Sequence, residues 1–358
     1  MKQKSTNPVA LDSRNYPRNT WWVAAYAAEI SQKPMQRWIL DQPVVLYRGE
    51  NGQVVALDDR CPHRWAPLSM GKVHGNSIAC AYHGLRFGAD GVCTLIPTQD
   101  SVPSVARVHS YPVVEAAPFV WIWTGDAASA ADAPLPPPLD WAVDPARVTA
   151  SGAMEVGCNY LALKENVMDL SHFAFVHAET LAMTDWTHAP KVTKSAEAIT
   201  YHQDFTAMPL PAHYGVPTGI GSDRPVNRQA WGSYVIPGLQ IAGVDIQDPE
   251  ARGSQRTKFT LRICHATTPI DAGRCHYWWF FSQDYGHGKD AVEAMRQRIE
   301  AAFLEDKAIL EATEHLVRRD WRGADYVEIS VACDQAGIET RRRVQQLVDR
   351  ETNDLGEI

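Results

Sequence analysis

Apolar positions come in short, closely spaced runs over the first third of the chain. Pro43 to Arg48 and Gln53 to Leu57 are rich in β-branched residues and are separated by Gly49-Glu50-Asn51-Gly52, so the pattern predicts a hairpin. A second hairpin is expected where Leu85 to Phe87 and Val92 to Leu95 flank Ala89-Asp90-Gly91. Phe119 to Trp123 reads as a further strand, closed by Gly125, and no helical period shows between residues 40 and 125. From Ala127 to Pro145 the chain is rich in Ala, Asp and Pro, with Pro134, Pro136, Pro137 and Pro138 close together, which reads as an extended linker. Beyond it, residues 159–178 have helical character. Strand-like runs recur over 192–285, among them Phe259 to Ile263 and Tyr277 to Phe281. Residues 289–318 carry the clearest helical period, with Val292, Met295, Ile299, Phe303 and Leu310 on one face. A charged tail, Arg341 to Ile358, is expected to end the chain as a fraying helix. The expected organisation is 1–126, a linker over 127–145, and 146–358.

Composition narrows the picture. A chain of 358 residues is long enough for about two domains. A net charge of −8 argues against a nucleic-acid binder, which would carry a basic surface. No apolar run approaches the roughly 20 residues of a membrane span. Met1 to Pro8 is polar and lacks the apolar centre of a signal peptide, so cytoplasmic residence is the expectation. Seven cysteines are an odd number, thinly spread; a disulfide framework is not expected, and metal ligation becomes the question.

Two of those cysteines are paired with histidines. Residues 61–64 read Cys-Pro-His-Arg and residues 80–84 read Cys-Ala-Tyr-His-Gly, beside turns and short strands. The placement suits two loops at the tips of neighbouring hairpins, each offering one thiolate and one imidazole. Two thiolates on one iron and two imidazoles on the other form the ligand set of a Rieske [2Fe–2S] centre. Zinc could use the same four groups, but zinc-finger spacing pairs Cys with Cys and His with His, whereas here each pair is mixed. Packing cysteines and histidines are the plainer alternative. Pro62, Arg64, Tyr82 and Gly84 also fit the Rieske pattern, and the segment resembles the Rieske domain of the Rieske non-haem iron aromatic-ring oxygenases. Cys93 falls outside the motif and reads as a small core residue.

Residues 166–177 contain Asn166, Asp169, His172 and His177. Two neutral imidazoles and one carboxylate on one face of Fe(II) make the facial triad of non-haem oxygenases, with positions left open for dioxygen and water. Five residues along a regular helix turn through about 140°, so His172 and His177 cannot share a face there. A helix end or distortion is therefore expected across 170–177. On the 289–318 helix, Asp306 falls on the apolar stripe, with Glu305 and Lys307 directed away from it. A carboxylate in that position is costly unless paired or metal-bound. The alternative is an Asp at the stripe's edge, reaching solvent or an arginine.

The resemblance extends over nearly the whole chain and is closest to the vanillate/dicamba O-demethylase-like group. It implies an α+β fold: an N-terminal all-β Rieske domain, then a helix-grip catalytic domain of antiparallel sheet and long helix. It implies that Cys61, His63, Cys80 and His83 hold the cluster and that His172, His177 and Asp306 hold mononuclear Fe(II). By the same resemblance Asp169 bridges His83 of one subunit and His172 of a neighbour in a homotrimer, and Asn166 lies near the iron. No Gly-x-Gly-x-x-Gly signature is present, so electrons from NAD(P)H are expected through a separate reductase, directly or by a ferredoxin. The implied reaction is monooxygenation of an aromatic or heteroaromatic substrate, by O- or N-demethylation. A cis-dihydroxylating dioxygenase uses the same metals, and a non-catalytic Rieske electron carrier is the reading from another class. Tyr277 to Phe281 could wall an aromatic pocket or pack the core. His202, His213, His265 and His276 are candidates to meet a polar substituent.

Overall fold

The computed structural model describes residues 16–181, 183, 188–222, 224–320 and 328–356; the polar N-terminal stretch and the last two residues of the charged tail lie outside them. The chain divides into two compact units, one of Tyr16–Leu139 with Thr268–Asp271, the other of Asp140–Thr267 with the residues from Ala272 onward. Among the described residues no helix is long and apolar enough to cross a membrane.

The first unit is built of strands, as its short β-branched runs predict. They are β1 (Trp21–Tyr26), β2 (Met35–Ile39), β3 (Gln42–Arg48), β4 (Val54–Asp58), β5 (Lys72–His74), β6 (Ser77–Ala79), β7 (Arg86–Phe87), β8 (Cys93–Leu95), β9 (Ser110–Tyr111), β10 (Val113–Ala116) and β11 (Phe119–Trp123). They form three sheets, ordered β1-β11-β10, β2-β3-β4-β9 and β5-β6-β7-β8. The β3–β4 hairpin pairs Val44 with Asp58 and Arg48 with Val54, and its turn closes through Gly52 at φ 82°. In the β7–β8 turn Gly91 has φ 76° and passes so close to Val108 that a Cβ would lie 2.1 Å from its carbonyl oxygen, so only glycine fits. One core of this unit joins Val45, Tyr47, Val55, Leu57, Ile78 and Phe87 to Cys61 and Cys80. The segment read as an extended linker is not extended throughout. It holds two short helices, α1 (Ala127–Asp132) and α2 (Asp140–Val143). Asp126 caps α1 by accepting from Ala128 N at 3.1 Å, so a good cap on an alanine run outweighs the proline-rich composition nearby.

The second unit is one seven-stranded sheet with helices. Its strands are β12 (Val148–Val156), β13 (Lys191–Lys194), β14 (Ile199–Pro209), β15 (Pro225–Ile236), β16 (Leu239–Gln247), β17 (Lys258–Asp271) and β18 (Arg274–Gln283), in the order β12-β18-β17-β16-β15-β14-β13. Its helices are α3 (Tyr160–Met168), α4 (Ala212–Thr218), α5 (Lys289–Arg319) and α6 (Gln335–Gly356). The expected long helix is α5, and Phe303 at its middle packs on Tyr277, Trp279 and His265, with ring centroids 5.3, 5.6 and 5.7 Å away. The alternation of β18 thus puts Tyr277 and Trp279 under α5. Arg341 of α6 ties this helix to α3 by pairing with Glu165, and also takes Glu328 at 2.9 Å. Glu165 precedes Asn166, so α6 braces the helix that leads into the second His motif.

Candidate metal centres

The two Cys/His loops close in the same way. Cys61 N donates to Ala66 O (2.9 Å) and Trp65 N to Cys61 O (2.8 Å); Cys80 N donates to Leu85 O (2.8 Å) and Gly84 N to Cys80 O (3.0 Å). The fourth residue after each cysteine is left-handed, Trp65 at φ 63° and Gly84 at φ 74°. For tryptophan that conformation is strained, and such strain gathers at functional sites. The loops bury Cys61 and Cys80, each thiol close enough to act on the other, and leave His63 and His83 exposed with their Nδ1 atoms 3.1 Å apart. Sulfurs pair with sulfurs and nitrogens with nitrogens. Among the described residues the one group of three or more donors that converges on a single point lies in the other unit. Two buried thiols in one place and two imidazoles in another suit the mixed sulfur and nitrogen ligand set of a Rieske centre. Burial pushes the Cys61 thiol up to about 11, so the thiolate calls for a cation against it.

The second centre starts where α3 stops. The helix ends at Met168, Asp169 is extended at φ −113°, and a 3₁₀ turn runs from Ser171 to Ala174, which is the break that the His172–His177 spacing requires. Both carboxylate oxygens of Asp169 accept from Ser171, from its backbone N–H at 2.8 Å and its hydroxyl at 2.9 Å, and so start that turn. The rings of His172 and His177 then stand 5.1 Å apart. Asp306 reaches between them from α5, its Oδ1 3.4 Å from His172 Nε2 and 3.2 Å from His177 Nε2. Asn166 Nδ2 donates to the same oxygen at 3.0 Å. Burial opposes ionisation of Asp306, which is 5% exposed, but the two imidazoles outweigh it and hold the carboxyl well below the usual range. His172 Nε2 is buried and forms no hydrogen bond. A buried nitrogen that faces a carboxylate oxygen at 3.4 Å without hydrogen-bond geometry, beside a second imidazole, fits a divalent cation held by two nitrogens and one oxygen.

Glu305 corrects the sequence reading. It does not point away from the stripe: its Oε2 takes the Nδ1–H of His177 at 2.8 Å and the hydroxyl of Thr180 at 2.7 Å. A carboxylate behind an imidazole fixes its tautomer and orientation and raises its basicity toward a metal. The adjacent residue Lys307 does turn outward, to Glu155 O at 2.7 Å and to Glu311.

The three groups border a cavity of about 720 Å³ in the second unit. Its wall is mostly aliphatic and aromatic, with Leu170, Tyr201, Leu261, Ile263 and Phe303 among the lining. Of the run Tyr277 to Phe281, Phe281 reaches the lining and the others pack the core. Of the four candidate histidines, His213 and His265 line the cavity; His202 and His276 do not. His265 Nδ1 sits 2.6 Å from the Tyr277 hydroxyl, and burial pushes its imidazole down to about 3, which keeps it neutral. Trp231 contributes a flat wall. Its Nε1 donates to Asp245 Oδ2 at 3.0 Å, and its ring passes so close to Gly243 that a Cβ there would be 2.6 Å from Cζ2. Nothing in the local pattern marks Trp231, because its neighbours come from β16.

Comparison with known proteins follows the same two units. Residues 20–112 match the family described as Rieske [2Fe-2S] domain, and residues 156–350 match the vanillate O-demethylase oxygenase C-terminal domain. The oxygenase component of dicamba O-demethylase from Stenotrophomonas maltophilia is 34% identical over 347 residues, covering 93% of this chain and 98% of its own. The crystal structure of dicamba monooxygenase bound to 3,6-dichlorosalicylic acid superimposes with a TM-score of 0.85 at 31% identity, over 94% of this chain and 99% of its own. A second dicamba monooxygenase structure, with non-heme iron and dicamba, gives 0.79 at 30% identity, over 95% and 99%. The chain belongs to the Rieske non-haem iron oxygenases, as an oxygenase component of the monooxygenase type.

Proposed function

We propose that the chain demethylates an aromatic or heteroaromatic methyl ether or N-methyl compound, with O₂ and two electrons supplied by a separate reductase. The single observation that carries this reading is the convergence of His172, His177 and Asp306 on the wall of a largely apolar cavity large enough for a substituted ring. Cys61, Cys80, His63 and His83 would hold the [2Fe–2S] cluster; His172, His177 and Asp306 would hold Fe(II). When bound, the two centres supply a one-electron relay and the site of O₂ reduction. The chain's own residues set the geometry. Glu305 holds His177, Asn166 holds Asp306 Oδ1, and the aliphatic wall excludes water. For a methyl ether the net change is R–OCH₃ + O₂ + 2e⁻ + 2H⁺ → R–OH + HCHO + H₂O.

The assembly belongs to the same proposal. The working division is residues 1–126, a connecting segment 127–145, and 146–358, in a protein resident in the cytoplasm that receives electrons from NAD(P)H through its reductase. Three copies would join head to tail, with Asp169 of one copy between its His172 and His83 of the neighbouring subunit. Exposure supports such a contact: Trp65 (72%) and Tyr82 (65%) belong to the two loops that carry the exposed His63 and His83, and Phe175 (83%) closes the His172 turn.

The test is a screen of methoxylated and N-methylated aromatics with a surrogate reductase under labelled O₂. Formaldehyde release with one labelled atom in the products per O₂, the other in water, is expected. Two labelled atoms in a cis-diol would instead indicate ring dihydroxylation.

A further inference from the structure

A buried carboxylate of the first unit stands at the root of both Cys/His loops. Asp59 follows β4, is 3% exposed and lies two residues before Cys61, so the two Cα atoms are at most about 7.6 Å apart. Its Oδ1 accepts from Ser69 N at 2.6 Å, and its Oδ2 accepts from the Ser69 hydroxyl at 2.6 Å and from Gln36 Nε2 of β2 at 2.5 Å. All three donors are neutral. Ser69 belongs to a 3₁₀ turn, Leu68–Met70. Gly71 ends that turn, and a Cβ there would lie 2.0 Å from Ala79 O, so the turn is pressed against the end of β6, one residue before Cys80. Lys72 of β5 pairs with the same Ala79. Asp59 thus ties the chain entering the first loop to the chain entering the second. We propose that Asp59 tunes the iron–sulfur centre: its carboxylate locks the roots of the two ligand loops together, and its charge holds the reduction potential of the cluster down. This rests on the reading of Cys61, His63, Cys80 and His83 as ligands and adds the group that sets their potential.

Two features support it. Reduction adds one negative charge to the cluster, and a buried anion held by neutral donors opposes that charge with little screening by salt. From residue 60 to residue 88 the chain carries no Asp or Glu, whereas Arg60, Arg64, Lys72 and Arg86 fall within that stretch. Asp58, just before it, is only partly buried and has Arg60 and His109 as charged neighbours. Asp59 is therefore the buried anion in an otherwise basic surround. A unit charge about 10 Å away, at an effective dielectric constant of about 20, moves such an equilibrium on the order of tenfold.

The test is a potentiometric titration of the holoprotein, followed by EPR and visible absorption. Asp59→Asn keeps the shape and an oxygen acceptor for Ser69 N. It should shift the equilibrium about tenfold toward the reduced cluster, about 59 mV upward for one electron. Ser69→Ala and Gln36→Leu each withdraw a donor and leave the carboxylate's charge less compensated, so both should shift the equilibrium about two- to threefold the other way. Opposite signs separate tuning from support, because a strap that only holds shape would move all three variants alike or cost them the cluster. A potential that fails to rise in Asp59→Asn, or fails to fall in Ser69→Ala, overturns the assignment. Where Asp59→Asn takes up no cluster, the other two variants decide by the same criterion, and loss of the cluster from all three overturns tuning. Wild-type protein without a Rieske signal faults the ligand reading itself, whereas a normal signal with unmoved potentials faults Asp59 alone.

Discussion

Replacing Asp306 by Ala should leave the visible and EPR signature of the iron–sulfur centre intact while turnover falls by more than about 100-fold, beyond the usual cost of losing a supporting hydrogen bond. Among the described residues the carboxylate is the one anionic group placed between His172 and His177, and it comes from a helix that also packs through Phe303 on β18. Removing it leaves two neutral nitrogens for a divalent cation. The cysteines and histidines of the first unit take no part in this centre, so their signature should not move. Glu305→Gln gives the graded version: it keeps the shape but weakens the bond to His177 Nδ1, and iron affinity measured on the apoprotein should drop by about 10- to 100-fold. Full turnover in Asp306→Ala would remove the ligand assignment.

Asp169→Asn should stall the reaction for a different reason. Asparagine keeps an oxygen acceptor for Ser171, so the turn that orients His172 should survive. It loses the charge that would accept an N–H from an imidazole on each side. Both metals should therefore stay bound, while re-oxidation of the reduced cluster in the presence of substrate and O₂ slows on the order of 100-fold. Stopped-flow absorbance reads that step directly. Re-oxidation at the wild-type rate would show that Asp169 serves only to cap the turn.

What could be read from the sequence follows from how local each feature is. The two Cys/His pairs are legible because each pair lies within one short loop closed by its own backbone, Cys61 to Ala66 and Cys80 to Leu85. Asp306 is legible because it interrupts an apolar stripe, and the break after α3 because five residues do not fit one helical face. The role of Glu305 is not legible in the sequence for a physical reason. Its Cα does point off the stripe, but the longer side chain reaches back to His177, a contact that helical position alone does not reveal. The α1 and α2 helices were hidden by the prolines between them. Beyond Phe281, His213 and His265, the cavity wall is not legible in the sequence. Trp231, Gly243 and Ile263 come from three different strands, and only the register of β15, β16 and β17 brings them together.

The most direct measurement is the metal and sulfide content of the purified protein, read together with its EPR spectrum. The account predicts brown material with about three irons and about two acid-labile sulfides per chain, and a Rieske-type signal on reduction. Colourless protein carrying zinc and no sulfide would contradict it.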